Sequence, residues 1–168
     1  MVGHRMTRRE AILAALALGV VPRFAAAGTV IDLEWEDLLP EGQSSIPNSL
    51  RGVIPHNEPD MAAQQPVSTG VRTDWNGKVV RLPGFVVPLD YHGAEVTAFI
   101  LVPFVGACVH VPPPPANQLV LVTTEPPYES KGMFQPVHVT GMFGTAFTTT
   151  ELAAVGYAMS ADKIEPYS

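Results

Sequence analysis

The chain is poor in cysteine, in charge and above all in basic residues. Of its 168 residues only Cys108 carries a thiol, so no internal disulfide can form. Charged side chains make up 15% of the sequence, and 10 Lys and Arg face 16 Asp and Glu for a formal net charge of −6. No basic run occurs in the body of the chain. Nucleic-acid binding is led by phosphate neutralisation on a basic face, and this composition argues against it. No apolar stretch reaches the roughly 20 residues that a helical membrane span needs, which sets a polytopic membrane protein aside. Neither G-x-G-x-x-G nor G-x-x-x-x-G-K-S/T occurs, so a phosphate-cradling loop has no motif support. A βαβ rhythm and internal repeats are missing as well.

What the chain has instead is an apolar fraction of 46%, with 17 Pro and 14 Gly. The apolar fraction argues against wholesale disorder. The Pro and Gly argue against a helical bundle, because both interrupt helix interiors.

Residues 1–27 read as an address and not as part of the fold. Arg5, Arg8 and Arg9 form a positive leader, Ala11 to Val21 an apolar stretch too short to anchor, and Ala25-Ala26-Ala27 a small-residue cleavage site. Arg8-Arg9 resembles a twin-arginine export signal. Cleavage near Ala27 removes four Arg and one Glu, leaving a more acidic chain with no lipid-modifiable Cys directly behind it. The expectation is a periplasmic protein with no stable membrane span after cleavage. In that oxidising compartment a lone Cys is buried and inert, an intermolecular partner, a nucleophile or a metal ligand.

Residues 28–76 read as an irregular N-terminal arm. Within it Leu33 to Pro40 predicts a short helical piece whose Trp35, Leu38 and Leu39 pack on a core. From residue 77 to 168 the pattern turns to strands. Asn76-Gly77 is a turn signal. Lys78 to Leu89 reads as a strand bent by a bulge at Pro83-Gly84. Ala94 to Val102 reads as a strand whose second half is buried on both faces. Gln118 to Thr123 and Pro136 to Phe147 are two more strands. On the latter Val137, Val139, Phe143 and Phe147 share one face, and His138 points the other way. A short last strand lies between Leu152 and Tyr167. Five short, bent strands with Gly and Pro at the corners predict an all-β fold, a small OB-like barrel carrying the arm and one short helix.

The segment with the most chemistry is Phe104 to Asn117, FVGACVHVPPPPAN. In extended chain Cys108 and His110 lie on one face, about two strand rises of 3.3 Å apart. A thiolate and an imidazole so placed suit a borderline cation, Zn²⁺ first. Further ligands are sought among His138, His92, Asp90, Glu95 and His56. The plainer readings remain open: Cys108 as a small buried hydrophobe and each His as a hydrogen-bonded or solvated imidazole. A thiol enzyme using Cys108 activated by His110 is the minor alternative, and Asn117 is the nearest group in sequence to orient such a pair.

The runs VRLPGFVVPLD (Val80 to Asp90), AFILVPFVGACVHVPPPPANQLV (Ala98 to Val120) and PVHVTGMF (Pro136 to Phe143) resemble an exported bacterial family of unknown function, DUF3299. Trp35 to Leu38 and the closing GYAM to IEPY resemble it too. The resemblance implies a periplasmic or lipid-anchored protein without established catalytic activity. It also implies a link to zinc handling and to ABC-transporter components as partners. Cys108 and His110 are the positions it carries over as a metal pair. His138 departs from the pattern, where an aromatic such as Trp is expected.

Overall fold

The computed structural model describes residues 29–42, 65–90, 95–107 and 113–167. Among these residues there are six strands: β1 (Ile31–Asp32), β2 (Lys78–Pro88), β3 (Glu95–Val102), β4 (Val120–Glu129), β5 (Pro136–Thr149) and β6 (Ala154–Pro166). Trp35–Leu38 and Ala116–Gln118 form single 3₁₀ turns. No helix among the described residues is long and apolar enough to cross a membrane.

The strand order is β1-β2-β3-β4-β6-β5, and β5 pairs back onto β2. Five strands therefore form a barrel-like ring, with two-residue β1 added in parallel to β2 at Val80 and Arg81. The β4–β6 contact is parallel and the other contacts around the ring are antiparallel. A closed ring removes the unpaired edges that an open sheet exposes. The mainly β, OB-like bent-strand arrangement expected from the sequence is the one observed.

β2 turns the ring by changing partner. Lys78 to Phe85 pair with β5, and Phe85 to Pro88 pair with β3. Neither ladder contains a register shift, so the bulge expected at Pro83-Gly84 is not formed there. Gly84 sits just before the handover, where a Cβ would lie 2.7 Å from Leu101 Cγ and 3.0 Å from the Val102 carbonyl oxygen. The bend is thus made by close approach of β3 to a bare backbone. The register shifts fall elsewhere, in β3–β4 between Val96 and Ala98 and twice in β5–β6.

The first β5–β6 shift lies at Gly141, where a Cβ would stand 2.1 Å from the Ser160 carbonyl oxygen. The second lies between Thr145 and Thr148, and it reverses the alternation beyond it. That shift removes Phe147 from the core face assigned to it by simple alternation, leaving the residue 73% exposed. Val137, Val139 and Phe143, ahead of the shift, are buried as expected. The last strand is not short: β6 runs 13 residues and spans β4 and β5.

Inside the ring, Val80, Leu82, Phe99, Leu101, Val122 and Tyr157 belong to the main core, which Leu33, Trp35 and Leu38 complete from the arm. Ile100 and Val102, on the opposite face of β3, join Val87, Ala107, Leu119 and Val155 in a second cluster. Phe99 to Val102 are all fully buried, as the doubly apolar second half of β3 predicts.

Candidate functional site

The second cluster frames the segment with the most chemistry. Ala107, directly before Cys108, is fully buried in that cluster. Beyond the segment, Pro113 and Pro114 are buried and Pro115 leads into the Ala116–Gln118 turn, with φ −53° and ψ 151°. A proline run can only be extended, having fixed φ and no donors, so the chain first turns after it, at Ala116–Gln118, where N–H groups are again available. The Gln118 N–H then donates to Pro115 O at 2.8 Å and closes the turn.

Long-range side-chain bonds fix this turn. Gln118 Nε2 donates to Trp35 O at 2.9 Å and to Asn117 O at 3.0 Å. Asn117 Nδ2 donates to Gly70 O at 2.8 Å. Gly156 lets β6 lie against the turn, since a Cβ there would be 2.8 Å from Ala116 O. Gln65 Nε2 donates to Pro114 O at 2.8 Å and to Ala154 O at 2.7 Å, and Gln65 Oε1 accepts from Ala154 N at 2.9 Å. Two side-chain acceptors of this turn, Asn117 Oδ1 and Gln118 Oε1, are buried with no donor among the described residues. Buried polar atoms are nearly always paired, so this pair of orphan oxygens is unusual.

The sequence-derived candidates are placed unevenly. Cys108, His110, His92 and His56 lie outside the described residues. His138 is half-buried between two inward residues, Val137 and Val139, and so faces outward from the ring. Its register partners are Pro83 and Glu165, and its ring stands 4.5 Å from that of Tyr167, tilted by 44°. Lys163, 2.8 Å from Glu165, is the main cause holding that carboxyl below its ordinary range, and His138 contributes weakly.

Asp90 has a structural role. Its carboxylate accepts from Thr97 N at 3.2 Å, from Ala98 N at 3.0 Å and from the Thr97 hydroxyl, clamping the start of β3 to the end of β2. Glu95 is exposed opposite Glu129. Among the described residues no three His, Cys, Asp or Glu side chains gather as a metal site. Asn117 spends its amide nitrogen on Gly70 O, which is a structural use of that group.

Sequence reasoning missed Gln65, Tyr157 and the amide of Gln118 as organising groups. Apart from the bond of Gln118 to its neighbour Asn117, their partners lie 49 to 119 positions away, so no local pattern signals them. Tyr157 is fully buried, donates its hydroxyl to Leu38 O at 2.7 Å and accepts from Arg72 N at 2.7 Å. Burial pushes its phenol above the ordinary value. Beside this knot runs an open groove of about 370 Å³ between Pro66, Val67, Val71, Ala116 and Phe147.

The ring, the turn and the flanks of the Cys108 segment all fall within one family match. The sequence matches the family described as a protein of unknown function, DUF3299, over residues 35–166. The chain belongs to the DUF3299 family. A crystal structure of a DUF3299 protein from Pseudomonas aeruginosa PAO1 is similar to it, with 38% sequence identity and a TM-score of 0.68. That similarity covers 84% of this chain and 98% of the Pseudomonas chain. No curated protein matches. DUF3299 membership brings a fold and a sequence pattern without an activity. The matched span starts at Trp35, the first residue of the 3₁₀ turn that closes the core, and ends at Pro166, the last of β6.

Proposed function

We propose that this DUF3299 protein is an exported, non-catalytic periplasmic protein that binds a divalent transition metal, zinc first, through Cys108 and His110. Its role is metal handling or delivery beside an ABC-type transporter. The observation that carries the reading is the anchoring of both flanks of the Cys108–His110 segment. Ala107 is sealed in the second cluster on one side, and Pro114 is hydrogen-bonded to Gln65 on the other. A thiolate and an imidazole on a short stretch between two fixed points suit zinc, which takes sulfur at about 2.3 Å and nitrogen at about 2.0 Å. At least one further donor is required, and His138 and His92 are the histidines assigned to supply it.

Bound zinc would supply charge and a fixed geometry to the segment, and its thiolate and imidazole ligands must shed protons to bind it. Affinity is therefore expected to fall as pH drops below neutrality. The test is elemental analysis of the purified chain followed by metal titration. Stoichiometric zinc lost in a Cys108→Ser/His110→Ala variant is the expected result. Zinc bound equally well by that variant refutes the assignment.

One observation favours a second reading, a metal-free interaction module of an envelope transporter complex. The groove beside Pro66 and Val71 is mostly apolar, and Phe147 stands 73% exposed at its edge. Partner capture that is indifferent to chelator and to Cys108→Ser, but lost in Phe147→Ser, would support it over metal binding.

A further inference from the structure

The turn into β2 carries an Asn-Gly pair that neither reading of the function uses. Asn76 and Gly77 are both exposed, and Gly77 sits at φ +71°, a left-handed conformation that glycine adopts without strain. Asn76 N donates to Thr73 O and Lys78 N donates to Trp75 O, both at 3.1 Å, so the pair lies within a tight turn. In a chain free to move, such a pair is chemically labile, because no side chain on Gly77 shields its nitrogen from the Asn76 carboxamide. The Gly77 nitrogen gives its proton to hydroxide and bonds to Asn76 Cγ. The Cγ–Nδ2 bond breaks, and the amide nitrogen leaves as ammonia with a proton taken from water. Water then opens the cyclic imide at either carbonyl, breaking a C–N bond and leaving aspartate or isoaspartate. Water is consumed and ammonia released, with no oxidation or reduction.

The fold engages both reacting groups with β5. Gly77 N donates to Phe143 O at 2.9 Å, which ties up the nucleophile. Asn76 Oδ1 accepts from Thr145 N at 2.8 Å and Asn76 Nδ2 donates to Thr145 Oγ1 at 3.1 Å, which ties up the carboxamide. These bonds extend the β2–β5 ladder past its end pair, Lys78 with Phe143. Ring closure requires the carboxamide to leave Thr145 and the Gly77 N–H to leave Phe143 at the same time. The turn nonetheless needs this pair, since Gly77 supplies the positive φ and Asn76 supplies an acceptor and a donor together.

We propose that Asn76-Gly77 is a latent deamidation site, guarded by the Thr145 clamp and modified only when this end of the β2–β5 ladder frays. A reaction that runs only from an opened state is slowed by the fraction of time that state is open. Each hydrogen bond shifts such an opening by about two- to tenfold, so the three together slow the reaction at least about tenfold. The product makes the event one-way. Aspartate still accepts from Thr145 N but has no proton for Thr145 Oγ1. Isoaspartate adds a methylene to the main chain at the entry to β2 and disturbs the register of Lys78 with Phe143. A chain that has reacted has therefore lost the clamp that closed its ladder.

The experiment incubates the full chain in mildly alkaline buffer, with a second sample unfolded in guanidinium chloride. The peptide spanning Asn76 is followed by mass spectrometry for amide-to-acid conversion, and by chromatography to separate isoaspartate from aspartate. Thr145→Val removes the hydroxyl acceptor while keeping the N–H and the side-chain shape. Thr145→Ser keeps both bonding groups. Folded wild type is expected to convert at least about tenfold more slowly than the unfolded chain. Folded Thr145→Val should convert about two- to tenfold faster than folded wild type, and Thr145→Ser within about twofold of it. All three should convert alike when unfolded. Equal rates in folded and unfolded wild type overturn the proposal, and so does an unfolded chain that does not convert. A folded Thr145→Val chain as well protected as wild type removes the role of the clamp. Hydrogen exchange at Ile100 and Leu101, in the fully buried half of β3, separates local from global opening. Thr145→Val should leave it unchanged, and exchange there that accelerates in step with conversion overturns the proposal, because the reaction then follows global unfolding.

Discussion

Tyr157→Phe isolates two hydrogen bonds inside the core. The hydroxyl donates to Leu38 O and accepts from Arg72 N, both at 2.7 Å, and joins the two described parts of the arm to β6. Phe preserves the ring and its packing at 5.1 Å between centroids against Phe143. What is lost is the hydroxyl, and each deserted backbone partner then bears a desolvation penalty of about 1–3 kcal/mol. Leu38 is fully buried, so water cannot rescue its carbonyl, whereas Arg72 is half-exposed and its N–H can recover a solvent partner. The expected loss is therefore about 2–3 kcal/mol, toward the lower half of the combined range. Urea unfolding followed by Trp fluorescence measures it as a shift in midpoint at constant slope. Hydrogen exchange at the Arg72 amide should accelerate at the same time. A loss below about 0.5 kcal/mol, within the range of neutral surface changes, would show that the hydroxyl does not hold the arm.

Further outcomes follow from neighbouring features. Gly141→Ala forces a Cβ to within 2.1 Å of Ser160 O, so a backbone shift is required and a loss of about 1–3 kcal/mol or more is expected in thermal melts. Leu82→Ala, at a fully buried site on β2, should lower stability by about 2–5 kcal/mol, and near-neutral behaviour would contradict a packed ring interior. Burial raises the Tyr157 phenol in the folded state, so the unfolded chain loses that proton first as pH rises. Stability should be complete below the unfolded value of about 10 and decline above it, less steeply in Tyr157→Phe. Asp90→Ala removes the acceptor of two β3 amides and should speed exchange at Thr97 and Ala98 before it affects the rest of the ring.

Legibility tracked the range of the interactions. Alternation and β-branched runs located five strands, and the apolar second half of β3 announced burial on both faces. Trp35, Leu38 and Leu39 were readable as core because they flank one short turn. Phe147 was misplaced because a register shift reverses the faces and leaves no mark in local composition. β6 was underestimated because Ser160, Asp162 and Lys163 interrupt its pattern, yet Ser160 and Lys163 still pair with β5 and Asp162 is only the residue passed over at a register shift. β1 has two residues and exists only through β2. In the candidate site, the residue types of Cys108 and His110 were legible from their spacing. The amides of Gln65, Asn117 and Gln118 were not, since a glutamine's partner depends on how distant segments meet.

The parallel pairing of β4 with β6 has a consequence for biogenesis. Among the described residues β6 is the last strand to be made, and it alone bridges β4 to β5. Until residues 154–166 have been synthesised, those two strands present open flanks to any other chain nearby. A ribosome stall or a truncation ahead of Ala154 would therefore yield a sticky intermediate and not a smaller stable protein, which makes synthesis of residues 154–166 the step that closes the ring.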